Sequence, residues 1–120
     1  MPLFHLPTPT ELLVWALVVH VVVDWLLQTE WMALYKSNLR HPAGWVHAGT
    51  YALFMALLFP LGAVLFIGVT HLLIDTRIPV MWWMHNVKRV PSGQPAAILE
   101  MAVDQSFHLV VLVVAALLLT

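Results

Sequence analysis

The chain has 120 residues, which suits one domain, and it is 62% hydrophobic with only 9% charged residues. Soluble domains average about 25% charged residues, so the composition argues against a soluble globular fold and for an integral membrane protein. A formal net charge of −1 argues against nucleic acid as a partner, and the lack of cysteine removes disulfides, thiolate metal sites and cysteine nucleophiles.

Thr8-Pro9-Thr10-Glu11 reads as a helix start: Thr8 can cap, Pro9 suits the first helical position, and Glu11 falls where a capping-box acid belongs. The apolar run that follows predicts a first helix over about 9–28, long enough to span a bilayer at ~20 residues. Residues 28–43 are more polar, with Glu30, Lys36, Ser37, Asn38, Arg40 and His41. Trp31 and Tyr35 suit the membrane–water interface, so this stretch either continues the first helix or forms a short interfacial one.

Pro42 and Gly44 lead into a second helix over about 44–59, and Phe59-Pro60-Leu61-Gly62 is a tight-turn candidate. A third helix follows over about 62–77. Both are shorter than an ideal span and are expected as a thin or tilted hairpin. One long helix kinked at Pro60 would far exceed the bilayer, so four crossings are preferred to three. Residues 77–95 form a second polar connection, with Trp82 and Trp83, Lys88 and Arg89, and the breaker cluster Pro91-Ser92-Gly93-Gln94-Pro95. The last helix is expected over about 95–119.

The expected fold class is therefore all-α: a polytopic membrane protein with one transmembrane domain over 1–120, built as a four-helix bundle. A shift of 51 residues lays His20 on His71, Asp24 on Asp75 and Trp31 on Trp82, which suggests two helical hairpins in parallel repeat. All 5 Lys and Arg fall in the two longer loops. The positive-inside rule then places both loops in the cytoplasm and both termini on the extracytoplasmic side.

Against this apolar background stand His20-x-x-x-Asp24, His71-x-x-x-Asp75 and, reversed, Asp104-x-x-x-His108. Residues four apart share one helix face, so each pair is aimed together. Counted at ~1.5 Å per residue from the loops, these pairs and His47 all fall in the cytoplasmic half of the expected bundle. An ionised Asp at the centre of a span costs ~2.5–3.5 kcal/mol, so such groups persist only by facing one another, water or a metal. Interhelical hydrogen bonding is the plain account of any one pair. The whole set at one depth points instead to a metal centre. Imidazole with carboxylate suits Zn, Mn or Fe, and four His and three Asp are enough for one ion or two. A proton relay is a third account, weakened because nothing comparable continues towards the other face.

The metal-ligand candidates are His20, Asp24, His47, His71, Asp75, Asp104 and His108. Asp24, Asp75 and Asp104 are also the candidates for general base or for orienting a ligating His. Gln28 and Gln105 are the candidates for binding substrate. Glu100 lies one turn before Asp104 at a helix start, where an acid suits the dipole. His5, His41 and His85 are expected in loops or at the interface, in contact with solvent, and the tryptophans as bilayer anchors.

The ordered set His20-x-x-x-Asp24-Trp25-x-Leu27-Gln28-Thr29-Glu30-Trp31-Met32-Ala33, with Lys36, His47, Tyr51, His71-Leu72-x-Ile74-Asp75 and Asp104-Gln105-x-x-His108, resembles a bacterial and phage membrane family. That family is catalogued as domain of unknown function 3307. It usually shows Phe and Asp where this chain has Trp25 and Glu30, both mild changes. The resemblance implies a small multi-pass protein of the bacterial inner membrane, and the family's name supplies no activity. A looser likeness is to small membrane proteins described as metal-dependent hydrolases, which also carry His and Asp on membrane helices.

The expected function is thus a metal-dependent membrane hydrolase of a lipid or phosphoester, using a divalent transition metal (Zn, Mn or Fe) near the cytoplasmic side. The alternatives are a divalent-metal carrier or sensor, and a structural membrane protein with a His–Asp hydrogen-bonded core. The expected partners are the lipid bilayer and that substrate, with homo-oligomerisation left open.

Overall fold

Thr8 caps the first helix as its sequence predicts: its Oγ1 accepts from the Glu11 backbone N–H at 3.2 Å, and Pro9 opens the helix. The computed structural model describes residues 6–91, 93 and 96–120. Among these residues the chain is helical, without strands: α1 Pro9–Val21, α2 Glu30–Tyr35, α3 Pro42–Met55, α4 Leu61–Asp75, α5 Ile78–Asn86 and α6 Ala97–Leu118. The expected start of the last helix at 95 lies outside the described residues, as do Ser92 and Gln94 of the breaker cluster and His5.

α1 does not run on as α-helix to 28. It passes into a π-helical turn, Val22–Leu26, closed by Leu27 N–H to Val22 C=O at 2.8 Å, and the chain then leaves the helix. Gln28 therefore sits in a connection rather than on the first helix. The two polar connections each hold a short helix, α2 and α5. α5 takes up much of what the sequence reads as loop. It follows a sharp elbow of 62° after α4. Arg77 makes the elbow with a left-handed backbone (φ 69), and Pro79 cannot donate the N–H that would continue α4. The side chain of Arg77 pairs with Glu100 in the first turn of α6, which ties the elbow down and uses Glu100 away from the polar centre.

His41 lies outside the helices, as expected, but is half-buried. Its Nδ1 accepts from Ala43 N–H at 3.1 Å to cap α3, and its ring stacks on Tyr35 at 4.4 Å. His85 lies in α5 and pairs with the Val90 carbonyl at 3.0 Å.

The helices α1, α3, α4 and α6 pack around a core in which α1 touches α3 and α6, and α4 touches α3 and α6. Small residues at the seams let the backbones close up: Ala16, Ala63, Ala115 and Ala116 are fully buried. A Cβ on Gly68 would stand only 3.1 Å from the Ala52 Cβ, so α3 and α4 approach closely there. Outside this core the surface is apolar, with Leu57, Leu61, Leu65 and Val110 all exposed. Two helical stretches are long and apolar enough to cross a membrane, Pro9–Leu26 and Ala97–Leu118, or three if α4 and α5 count as one broken span. α3 has 14 residues, about 21 Å of helix against a hydrocarbon core of ~30 Å.

Candidate metal centre

The buried polar residues are the ones the sequence singles out. His20, Asp24, His47, His71, Asp75, Asp104 and His108 are all at least nine-tenths buried. They come from five elements: His20 from α1, Asp24 from the π turn, His47 from α3, His71 and Asp75 from α4, and Asp104 and His108 from α6. The π turn inserts one extra residue per turn, a feature that often marks functional positions, and it carries Asp24 inward.

Four of the seven make a closed ring of donor atoms. Asp24 Oδ1 lies 2.8 Å from His47 Nε2, which lies 3.6 Å from Asp75 Oδ2. Asp75 Oδ2 lies 2.9 Å from His71 Nε2, which returns to Asp24 Oδ1 at 3.7 Å. Donors ~2.0–2.2 Å from a common ion stand about 2.8–3.1 Å apart at right angles and about 3.3–3.6 Å apart at tetrahedral angles. Three sides of the ring fall on those values, and the fourth, at 3.7 Å, lies just beyond them. One ligand atom from each residue lies within 4.8 Å of every other. His71 Nε2 is close to Asp75 Oδ2, yet both ring nitrogens of His71 are buried without a hydrogen bond. Proximity without alignment is the pattern expected when two donors face a shared cation rather than each other. The His71 ring is held flat against Tyr51, with centroids 3.9 Å apart.

His20 is placed beside the ring, and its proton positions follow from its neighbours. Carboxylates only accept, so the Gln105 amide group must donate to Asp104 Oδ2 at 2.9 Å and to Asp24 Oδ2 at 3.4 Å. Its Oε1 is then the acceptor for His20 Nε2–H at 2.8 Å. That leaves the lone pair on His20 Nδ1, which accepts from the Tyr51 hydroxyl at 2.7 Å. With both nitrogens committed, His20 supports Asp24, from whose Oδ2 its Nε2 lies 3.9 Å, rather than offering a ligand. The i,i+4 spacing aims His20 at the centre, where Gln105 of α6 and Tyr51 of α3 hydrogen-bond its two nitrogens, and the four donor atoms that lie close enough for one ion come from Asp24, His47, His71 and Asp75.

Asp104 stands at the edge, its side chain 12% exposed, and serves the Gln105 amide. His108 Nδ1 donates to the Asp104 carbonyl at 2.8 Å, which in the neutral ring leaves the lone pair on Nε2, the nitrogen that faces Asp75 Oδ1 at 3.7 Å. Of the two glutamines expected to meet substrate, Gln105 is inside this network. Gln28 is in the connection after the π turn, with its Oε1 buried and without a hydrogen-bond partner.

Two residues of the site carry roles that sequence reasoning does not assign. Tyr51 lies one turn after His47 and so on its face of α3, which is the signal that finds it. Lys36, at the end of α2, reaches Asp75 Oδ1 with its ammonium at 3.3 Å. The sequence hints at Lys36 in two ways: it belongs to the ordered set that carries the family resemblance, and three buried acids call for a cation.

No curated protein and no solved structure matches the chain. A family profile described as a protein of unknown function, DUF3307, matches residues 12–120, so the chain belongs to that family.

Proposed function

We propose that the protein is an integral membrane metalloprotein that holds a divalent transition metal at Asp24, His47, His71 and Asp75. The observation that carries this reading is the closed donor ring, in which one buried ligand atom from each of Asp24, His47, His71 and Asp75 lies within 4.8 Å of every other. Zn, Mn and Fe suit two imidazoles with two carboxylates. We read α1 with its π turn and α6 as full spans, with α3 and α4 as a shorter hairpin completing a four-helix transmembrane bundle. Lys36, Arg40, Arg77, Lys88 and Arg89 then lie on the cytoplasmic side and the ends of the chain on the other, with the centre near the cytoplasmic face.

The reaction we assign is hydrolysis of a lipid or phosphoester at the inner leaflet of the plasma membrane. A bound ion would supply a water activated near neutral pH and polarise the scissile group. In this reading Asp104, the most accessible carboxyl of the centre, is the group able to take a proton from solvent-side water. Leu109 to Leu119 offers no polar step towards the far face, which favours an enzyme over a carrier. A His–Asp core that only holds helices together is favoured by the 2.8 Å bond between His47 and Asp24.

Elemental analysis of the protein purified in detergent separates these readings. We expect stoichiometric metal in the wild type and its loss in His71→Ala and Asp75→Ala. A full metal complement in both variants, or a wild type that takes up no Zn, Mn or Fe when offered them, sinks the metal centre. Hydrolysis is checked by following phosphorus NMR of phospholipid vesicles containing the loaded protein, and turnover no faster than in protein-free vesicles removes the assigned reaction.

A further inference from the structure

We infer that Lys36 fills a second cation position of this centre, so that one metal ion and one ammonium share the carboxylates. The inference rests on the metal reading above and concerns the other oxygen of Asp75. Oδ2 belongs to the donor ring, while Oδ1 points away from it, towards Lys36 Nζ at 3.3 Å and His108 Nε2 at 3.7 Å.

That outer position has the features of a cation seat. His108 donates its Nδ1–H to a backbone carbonyl, the usual arrangement for an imidazole whose other nitrogen ligates. Its Nε2 lone pair therefore faces a carboxylate oxygen, and both atoms are buried without a hydrogen bond. Two electron-rich atoms set this way repel unless a positive charge lies against them. A carboxylate that gives one oxygen to each of two cations is the layout of two-metal centres, whose ions stand ~3.5–4 Å apart. Here the positive charge at the outer oxygen is the Lys36 ammonium.

The backbone delivers Lys36 to that point. Thr29 caps α2, and the N–H of Lys36 closes its last turn on Met32 C=O at 2.9 Å. The first turn of α3 then packs on the Lys36 peptide so closely that a Cβ on Gly44 would stand 2.7 Å from the Lys36 carbonyl oxygen. The side chain that leaves this clamp is only 16% exposed and ends at Asp75.

The test uses the full chain in detergent, loaded with Mn²⁺ and freed of excess. Metal content and the electron paramagnetic resonance spectrum are both read. The wild type should hold one Mn²⁺ per chain with an uncoupled six-line spectrum. Lys36→Met should hold two, with an exchange-coupled spectrum, and Lys36→Arg should stay at one. Lys36→Gln provides the same comparison if the Met variant does not fold. One ion in Lys36→Met or Lys36→Gln overturns the inference and leaves the metal centre standing. Two coupled ions in the wild type also overturn it, and an empty wild type overturns both readings.

Discussion

Gln105 touches four polar side chains, and its amide decides where their protons lie. Because its NH₂ faces two carboxylates, its Oε1 is left to accept from His20, and the chain of donors and acceptors runs on to Tyr51. Replacing it by Leu removes the acceptor for His20 Nε2–H and the donor to Asp24. Loss of a partner that orients a ligand typically weakens metal binding by ~10–100-fold. We expect Gln105→Leu to show a loss of that size in a chelator competition titration, with the helical content unchanged. An affinity equal to wild type would mean that Asp24 is held without this network. Tyr51→Phe strands the His20 Nδ1 lone pair and should lower stability by ~1–3 kcal/mol in reversible unfolding from detergent. A neutral result there would show that water replaces the hydroxyl.

Short helices and irregular turns do the positioning at the next scale. Each half of the chain runs long helix, short helix, long helix: α1, α2 and α3, then α4, α5 and α6. His20 with Asp24 and His71 with Asp75 end the first helix of each half, and Trp31 and Trp82 lie on the short helices that follow. The equivalence suggested by the 51-residue shift thus extends to the order of elements, although the return helices bring different residues: His47 from α3, and Asp104, Gln105 and His108 from α6. The clamp between α2 and α3 offers a test at this scale. Gly44→Ala forces a Cβ against the Lys36 carbonyl oxygen, which is backbone and cannot swing aside. Overpacking of this kind costs ~1–3 kcal/mol. The variant should lower the thermal midpoint in detergent, and a midpoint at the wild-type value would mean that α2 shifts freely on α3.

At the scale of the molecule, a polar centre is enclosed by helices whose outer faces are apolar. Leu57 in the turn between α3 and α4 is 80% exposed, while the basic residues gather at the other two connections. The chain has no cysteine, so single-cysteine variants label without background. An impermeant maleimide added to intact cells should modify Leu57→Cys and spare Val87→Cys until the membrane is opened. The reverse pattern would invert the proposed orientation, and equal labelling of both would remove it.

The sequence by itself determined the helical, strongly apolar character and the buried polar residues, because both depend on composition and on the 3.6-residue period. A His and an Asp four apart share a face wherever the helix goes, so His71 with Asp75 is legible before any fold is known. The short helices were less so: α5 depends on the elbow at Arg77 and on its tie to Glu100, a partner 23 positions away in the chain. Only the tertiary structure decided which candidates share a ring and which support it. His20 and His71 have the same local spacing, but Gln105 and Tyr51 occupy both nitrogens of His20, while His71 Nε2 faces the Asp75 carboxylate at 2.9 Å inside the ring. Lys36 enters the centre for the same reason. Its charge is visible in the sequence, but the pairing with Asp75 is made across elements, by the packing of α2 on α3 and of α3 on α4.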